Sequence, residues 1–148
     1  MLFLSLGLIS AQTICIEWSS LPRSEPYLHY ALLRSVEKAV LESGYSLGCD
    51  GEYEKLSVKV RKFEEVPIAY TPAQRVSVYN LILSLEAVKG NERFIFTVSV
   101  PYSLPSGGLG DLPRRKAIDD LLDKIYLRMV EKLRRWRHAD KRGDGKER

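Results

Sequence analysis

The sequence predicts an α+β domain. It is expected to be a two-layer sandwich in the order β-α-β-β-β-α, with two helices packed on one face of a mixed four-stranded sheet. Three observations predict this. Apolar residues recur at helical spacing in two stretches, one after Pro26 and one after Pro113. Between them, three stretches alternate apolar and polar residues with a period of two. A short apolar run, Thr13 to Trp18, comes ahead of the first helical stretch and reads as a first strand.

Met1 to Ala11 is Leu-rich and uncharged, with the length of a signal-peptide core and too few residues to span a bilayer. It is expected to be a leader segment, although no Lys or Arg precedes Arg23 and a short buried strand is the alternative. The domain itself is expected over residues 12–138, and residues 139–148 as a basic disordered tail.

After the first strand, Ser24 is placed to cap a helix whose first turn holds Pro26, where a missing N–H costs nothing. Leu28, Leu32, Val36, Ala39 and Val40 line one side of that helix, and Gly44 supplies its left-handed stop. Leu56, Val58 and Val60 alternate with Ser57, Lys59 and Arg61, as in a strand with one buried face. Glu64 to Gln74, interrupted by Pro67 and Pro72, reads as an extended loop or a ribbon projecting beyond the sheet. Val76 to Val88 is the longest strand, with Tyr79, Leu81, Leu83 and Leu85 on one side.

Lys89-Gly90-Asn91 is a short turn into a strand lined by Phe94, Phe96, Val98, Val100 and Tyr102. Asp111 is placed to cap the last helix, and Ile118, Leu121, Leu122, Ile125, Met129, Leu133 and Trp136 form its apolar stripe. The other sheet face is mixed, with Lys59, Arg61, Thr97 and Ser99 beside Ile82 and Ile95. A partner is expected to dock there.

At 148 residues the chain holds one domain with a single core. The formal net charge is +4, and residues 134–148 carry seven basic residues against three acidic ones, so the body is about neutral. That is a weak basis for nucleic-acid binding, which is not expected. Cys15 and Cys49 are too few for a metal site with His29 and His138 distant in sequence. If the strands on either side of the first helix run parallel, the two cysteines lie at one end of the sheet. A disulfide is then geometrically possible, and two free buried thiols are the alternative.

No catalytic constellation is legible. Gly107-Gly108-Leu109-Gly110 lacks the Lys and hydroxyl that end a phosphate-binding loop. Asp119 and Asp123 share a helix face but have no second acidic cluster, and Lys116 and Lys124 beside them favour surface ion pairing. Neither histidine has a nearby nucleophile with an orienting carboxylate. The chain is expected not to be an enzyme and to need no cofactor. Tyr70, in the Pro-marked segment near Arg75, is the aromatic residue most expected to be an exposed contact.

From Thr13 to about Trp136 the chain resembles the lipopolysaccharide-assembly lipoprotein family, LptE. The residues carrying the likeness are Ile14-Cys15-Ile16-Glu17-Trp18, the helix Tyr27 to Ser43 closed by Gly44-Tyr45, and Leu56-Ser57-Val58-Lys59-Val60. Ala69-Tyr70-Thr71-Pro72 leading into Val78-Tyr79-Asn80-Leu81 is the most family-like piece, followed by the long helix from Ala117. The resemblance implies a non-catalytic protein on the periplasmic side of the outer membrane. It would sit in an LptD-type β-barrel and support lipopolysaccharide transport to the cell surface.

On that reading Lys59, Arg61 and Arg75 would meet lipopolysaccharide phosphates and acidic sugars. Tyr70, Thr71, Pro72, Thr97 and Ser99 would meet the barrel. Family members carry a small residue before a lipidated cysteine, whereas Ile14 precedes Cys15 and Cys15 falls within a strand. A lipid on Cys15 is therefore not expected, and membrane association is expected through the barrel rather than a transmembrane helix. A cytosolic nucleic-acid- or ribosome-binding module using the basic tail is the competing reading.

Overall fold

A computed structural model describes residues 12–20, 25–73, 76–103 and 111–146. Its elements are β1 (Thr13–Ser20), α1 (Pro26–Glu42), β2 (Ser46–Leu47), β3 (Glu54–Tyr70), β4 (Val76–Lys89), β5 (Glu92–Ser103) and α2 (Asp111–Lys146). The sheet order is β2-β1-β3-β4-β5. β1 is parallel to β2 and β3, and β3, β4 and β5 are antiparallel in turn.

The α+β class and the two helices on a mixed sheet are as expected, but the sheet has five strands rather than four. The extra strand, β2, is two residues long, too short to leave a periodic pattern. It is held by backbone rather than by side-chain alternation: Ser46 N–H donates to Gln12 at 2.9 Å and Gly48 N–H to Ile14 at 3.1 Å. Beyond β2, Cys49 is bonded to Cys15 of β1, with Cα atoms 4.8 Å apart. Of the two states left open by the sequence, the structure has the disulfide. The Cys15 sulfur is thereby committed to Cys49.

Periodicity places the helices closely. α1 starts at Pro26, and its N-cap position is Glu25 rather than Ser24, which lies outside the described residues. The Glu25 side chain makes no capping bond because it is drawn instead toward α2. Gly44, at φ 95°, ends the helix, and Tyr45 N–H returns to the Val40 carbonyl at 3.3 Å. A side chain at position 44 would also crowd the Arg137 guanidinium, 3.0 Å from where its Cβ would lie, and oblige it to shift slightly. α2 runs on to Lys146, into the stretch expected as a disordered tail. The side chains of Asp111 and of residues 140–148 lie outside the described residues, as do the expected leader 1–11 and the Gly107–Gly110 stretch.

Glu64 to Tyr70 is strand, so the projecting ribbon is the form the Pro-marked segment takes. β1 accompanies β3 only to Lys59, leaving an edge where Pro67 and its missing N–H are tolerated. Lys89, expected in the turn, is the last residue of β4. Its ammonium is almost fully buried and lies 3.0 Å from Glu54. Gly90, at φ 60°, makes the tight return into β5.

Both helices lie on one face of the sheet. Leu28, Leu32 and Val36 of α1 and Leu121, Ile125 and Met129 of α2 are completely or almost completely buried with Leu81, Leu83, Leu85 and Phe96. Each such side chain contributes about 1.5–3 kcal/mol of transfer free energy. The helices run parallel. Glu25 and Tyr27 at the start of α1 meet Arg114 and Asp119 at the start of α2. At the other end Ser43 Oγ reaches Val130, Tyr45 Oη donates to the Leu133 carbonyl, and Arg134 donates to the Glu42 carbonyl.

Candidate functional site

With both helices on one face of the sheet, no described element covers the other. In β4 the inward residues are Leu81, Leu83, Leu85 and Ala87, so Asn80, Ile82, Ser84, Glu86 and Val88 turn outward. Register places Lys59, Glu86 and Ile95 in one row across three strands, and Lys62, Ser84 and Thr97 in the next. The resulting surface mixes charge, hydroxyl and a few exposed apolar groups such as Ile95.

Glu86 is its electrostatic centre. Its side chain is 13% exposed, against 42% for Arg61 and 62% for Arg93. Arg93 donates from Nε to its carboxylate, and an Arg61 guanidinium nitrogen lies 3.7 Å away. Arg61 is the extra residue where the β3–β4 register shifts. Ser84 and Thr97 share a hydroxyl hydrogen bond of 3.1 Å, and Lys55 pairs with Glu17 at 3.0 Å. These contacts brace the surface across strands.

The rim at β5 is closed by α2. Lys124 Nζ donates to the Ser99 carbonyl at 3.0 Å and Arg128 to the Thr97 carbonyl at 3.3 Å. Pro101 removes one further donor from that edge strand.

A second polar constellation lies where both helices begin. Arg114 donates to Glu25 at 2.5 and 3.2 Å and to Glu65 at 3.1 Å, with its guanidinium 6.0 Å from the Phe63 ring centroid. Tyr102 donates its hydroxyl to Glu65 and stacks on Tyr79 with centroids 5.5 Å apart. The Glu25 carboxylate, with Glu65, raises the Arg114 pKa against the opposing effect of burial, so the guanidinium stays charged. Burial first, and then the bond to Glu65, push the Tyr102 hydroxyl pKa well above the usual tyrosine value. Tyr27 is also raised, chiefly by its 2.5 Å bond to Asp119. This constellation joins α1, α2, β3 and β5.

Of the residues singled out from sequence, Lys59, Arg61, Thr97 and Ser99 come together on the open face. Tyr70, Thr71 and Pro72 are exposed at the end of the β3–β4 ribbon, away from the first group, and Arg75 lies outside the described residues. Sequence reasoning missed Glu86 and Arg93. Their signal was present: Glu86 is a carboxylate at an outward phase within an apolar strand, and Arg93 follows the tight turn two positions after the strand reverses. Asp119, weighed as a metal ligand, is the acceptor for Tyr27. Among the described residues, no group of three or more His, Cys, Asp or Glu is placed to hold a metal ion. Among them, too, no helix is long and apolar enough to cross a membrane.

Solved structures with this arrangement include bacterial lipoproteins. The fold matches lipoprotein B from Nitrosomonas europaea with a TM-score of 0.56, at 10% identity, over 87% of this chain and 86% of that one. It matches the minor lipoprotein from Acinetobacter baumannii with a TM-score of 0.51, at 14% identity, over 82% and 92%. It matches rare lipoprotein B from Shewanella oneidensis with a TM-score of 0.50, at 15% identity, over 87% and 97%. At these identities the likeness is one of fold. No family model matches the chain. An uncharacterized protein of Aquifex aeolicus (strain VF5) is 41% identical over 122 residues, which are 82% of this chain and 84% of that protein. Identity of that extent makes this chain a member of the same family as the Aquifex protein, with a fold shared by the bacterial minor and rare lipoproteins.

Proposed function

We propose that this protein is a non-catalytic outer-membrane assembly component of the LptE type. On this reading it binds an LptD-type β-barrel from the periplasmic side and supports lipopolysaccharide transport to the cell surface. The observation that carries the proposal is the braced, polar sheet face left open on a fold shared with bacterial lipoproteins. A wedge with one dry, helix-covered side and one polar side suits the wet lumen of a barrel. Thr97 and Ser99 would meet the barrel wall, and Lys59 and Arg61 would meet anionic groups of the glycolipid. The Cys15–Cys49 disulfide suits an oxidising compartment such as the periplasm.

The test is isolation of the native envelope and capture through a C-terminal tag, with mass spectrometry of the eluate. A photo-crosslinking residue replacing Thr97 or Ser99 should give an adduct with a large outer-membrane barrel. The same residue replacing Tyr30, on the exposed side of α1, should give none. Recovery from the cytosol without a barrel would overturn the proposal and favour the nucleic-acid reading.

A further inference from the structure

Among the described residues, the β3–β4 ribbon outruns both of its neighbours. β1 pairs with β3 only as far as Lys59, and β5 pairs with β4 only as far as Val78. The pairs Ala69–Val78 and Tyr70–Val76 lie at the limit of the sheet, and the last has no β5 residue beside it. The register shifts twice here, with Ile68 and then Ser77 as the extra residues, and such bulges locally bend a ribbon and increase its twist.

The chemistry of this end is as unusual as its shape. From Val66 to Gln74 the chain has no charged residue, although 28% of the protein is charged. Ile68 is 54% exposed and Tyr70 62%, and Leu112, at the start of α2, is 67% exposed. Glu65, the last charged residue before the tip, is held by Arg114 and Tyr102. Ladder bonds join the two strands out to Tyr70, while the outward-facing amides and carbonyls of this open-edged ribbon need water and hold it at the hydrated headgroup level.

A finger two strands wide is convex. A protein partner would need a matching pit, whereas a fluid phase closes around it. Tyr is favoured where water meets hydrocarbon, because its ring is apolar and its hydroxyl stays hydrated. We propose that the ribbon end dips into a lipid bilayer at the boundary between headgroups and acyl chains, with Ile68 and Tyr70 as the inserted side chains. The inference stands on ribbon topology and exposure, apart from the barrel reading, and assigns Tyr70 to lipid instead of protein.

The test is co-sedimentation of the purified full chain with vesicles of phosphatidylcholine, and with vesicles of phosphatidylethanolamine and phosphatidylglycerol. Wild type should sediment with both. Ile68→Ser combined with Tyr70→Ser should weaken partitioning about tenfold or more, while Tyr30→Ser on α1 leaves it unchanged. Thermal melts of all variants should match, since neither tip side chain is in the core. Tyr70→Trp should be quenched by lipids brominated near the headgroup end of their chains. Absence of wild-type sedimentation, or full retention by the double variant, would overturn the proposal. So would loss of a dimer in the double variant by ultracentrifugation, because the covering surface would then be a second copy. Barrel capture should survive the double variant, which keeps the two proposals separable.

Discussion

Arg114 on α2 and Glu65 on β3, 49 residues apart in sequence, are joined by a 3.1 Å hydrogen bond. Through Arg114 the bond continues to Glu25 at the start of α1, and through Glu65 to Tyr102 on β5. Four elements therefore converge on one guanidinium whose side chain is 26% exposed. Its planar fork serves two carboxylates at once, which an ammonium cannot reproduce.

Arg114→Ala should accordingly cost about 1–2 kcal/mol, more than an ordinary surface pair, because two carboxylates lose their partner together. Arg114→Lys should recover less than half of that. Urea denaturation followed by circular dichroism measures both, and an unchanged midpoint for Arg114→Ala would show the network to be decorative.

Alkaline stability should depend on Tyr102. Its folded pKa lies above the unfolded value, so on raising the pH the unfolded chain loses this proton first. The unfolded state then binds fewer protons, and stability falls as pH rises. The contribution is complete below about pH 10 and declines above it. Melting temperatures for wild type and Tyr102→Phe should converge as pH rises from about 10 to 12. Tyr27 shifts the same way but is present in both proteins, so the difference isolates Tyr102.

Reduction of the disulfide should release β2. The bond closes a loop between cysteines 34 residues apart. Chain entropy assigns such a closure about 3–4 kcal/mol. Cys15→Ser with Cys49→Ser should lower the urea midpoint to match. Hydrogen exchange should quicken first at Ser46 and Gly48, whose amides donate to the Gln12 and Ile14 carbonyls.

Removing the β5 cover should promote association. Lys124→Ala with Arg128→Ala uncovers the carbonyls of Ser99 and Thr97 on an edge strand. The pair should lose no more than about 1 kcal/mol of stability. Sedimentation velocity should nevertheless show more self-association than in wild type.

Both helices and four of the five strands are legible in the sequence: Leu28, Leu32 and Val36, or Leu81, Leu83 and Leu85, repeat at the period of their element, and the short apolar run from Thr13 marks β1. β2 is not legible, since Ser46 and Leu47 belong to the sheet only through bonds to Gln12 and Ile14. The outward placement of Lys59, Thr97 and Ser99 follows from alternation. So does that of Arg61; what alternation does not give is Lys62 beside it, because the register shift at Arg61 sets Lys62 opposite Ser84. The Arg114 constellation is hidden for a different reason: Glu25, Glu65 and Tyr102 are spread across the chain, and only tertiary packing brings them together.

Along β4, Leu81, Leu83 and Leu85 hold the core, while Ile82 and Glu86 face outward and Ser84 bonds outward to Thr97. Alternate positions therefore answer to different selection. Inward letters are constrained by packing and can change only with their neighbours. Outward letters can drift to suit whatever the open face meets, at little risk to folding. One scaffold could thus carry outer faces of quite different recognition, and the fold itself is seen in chains only 10–15% identical to this one.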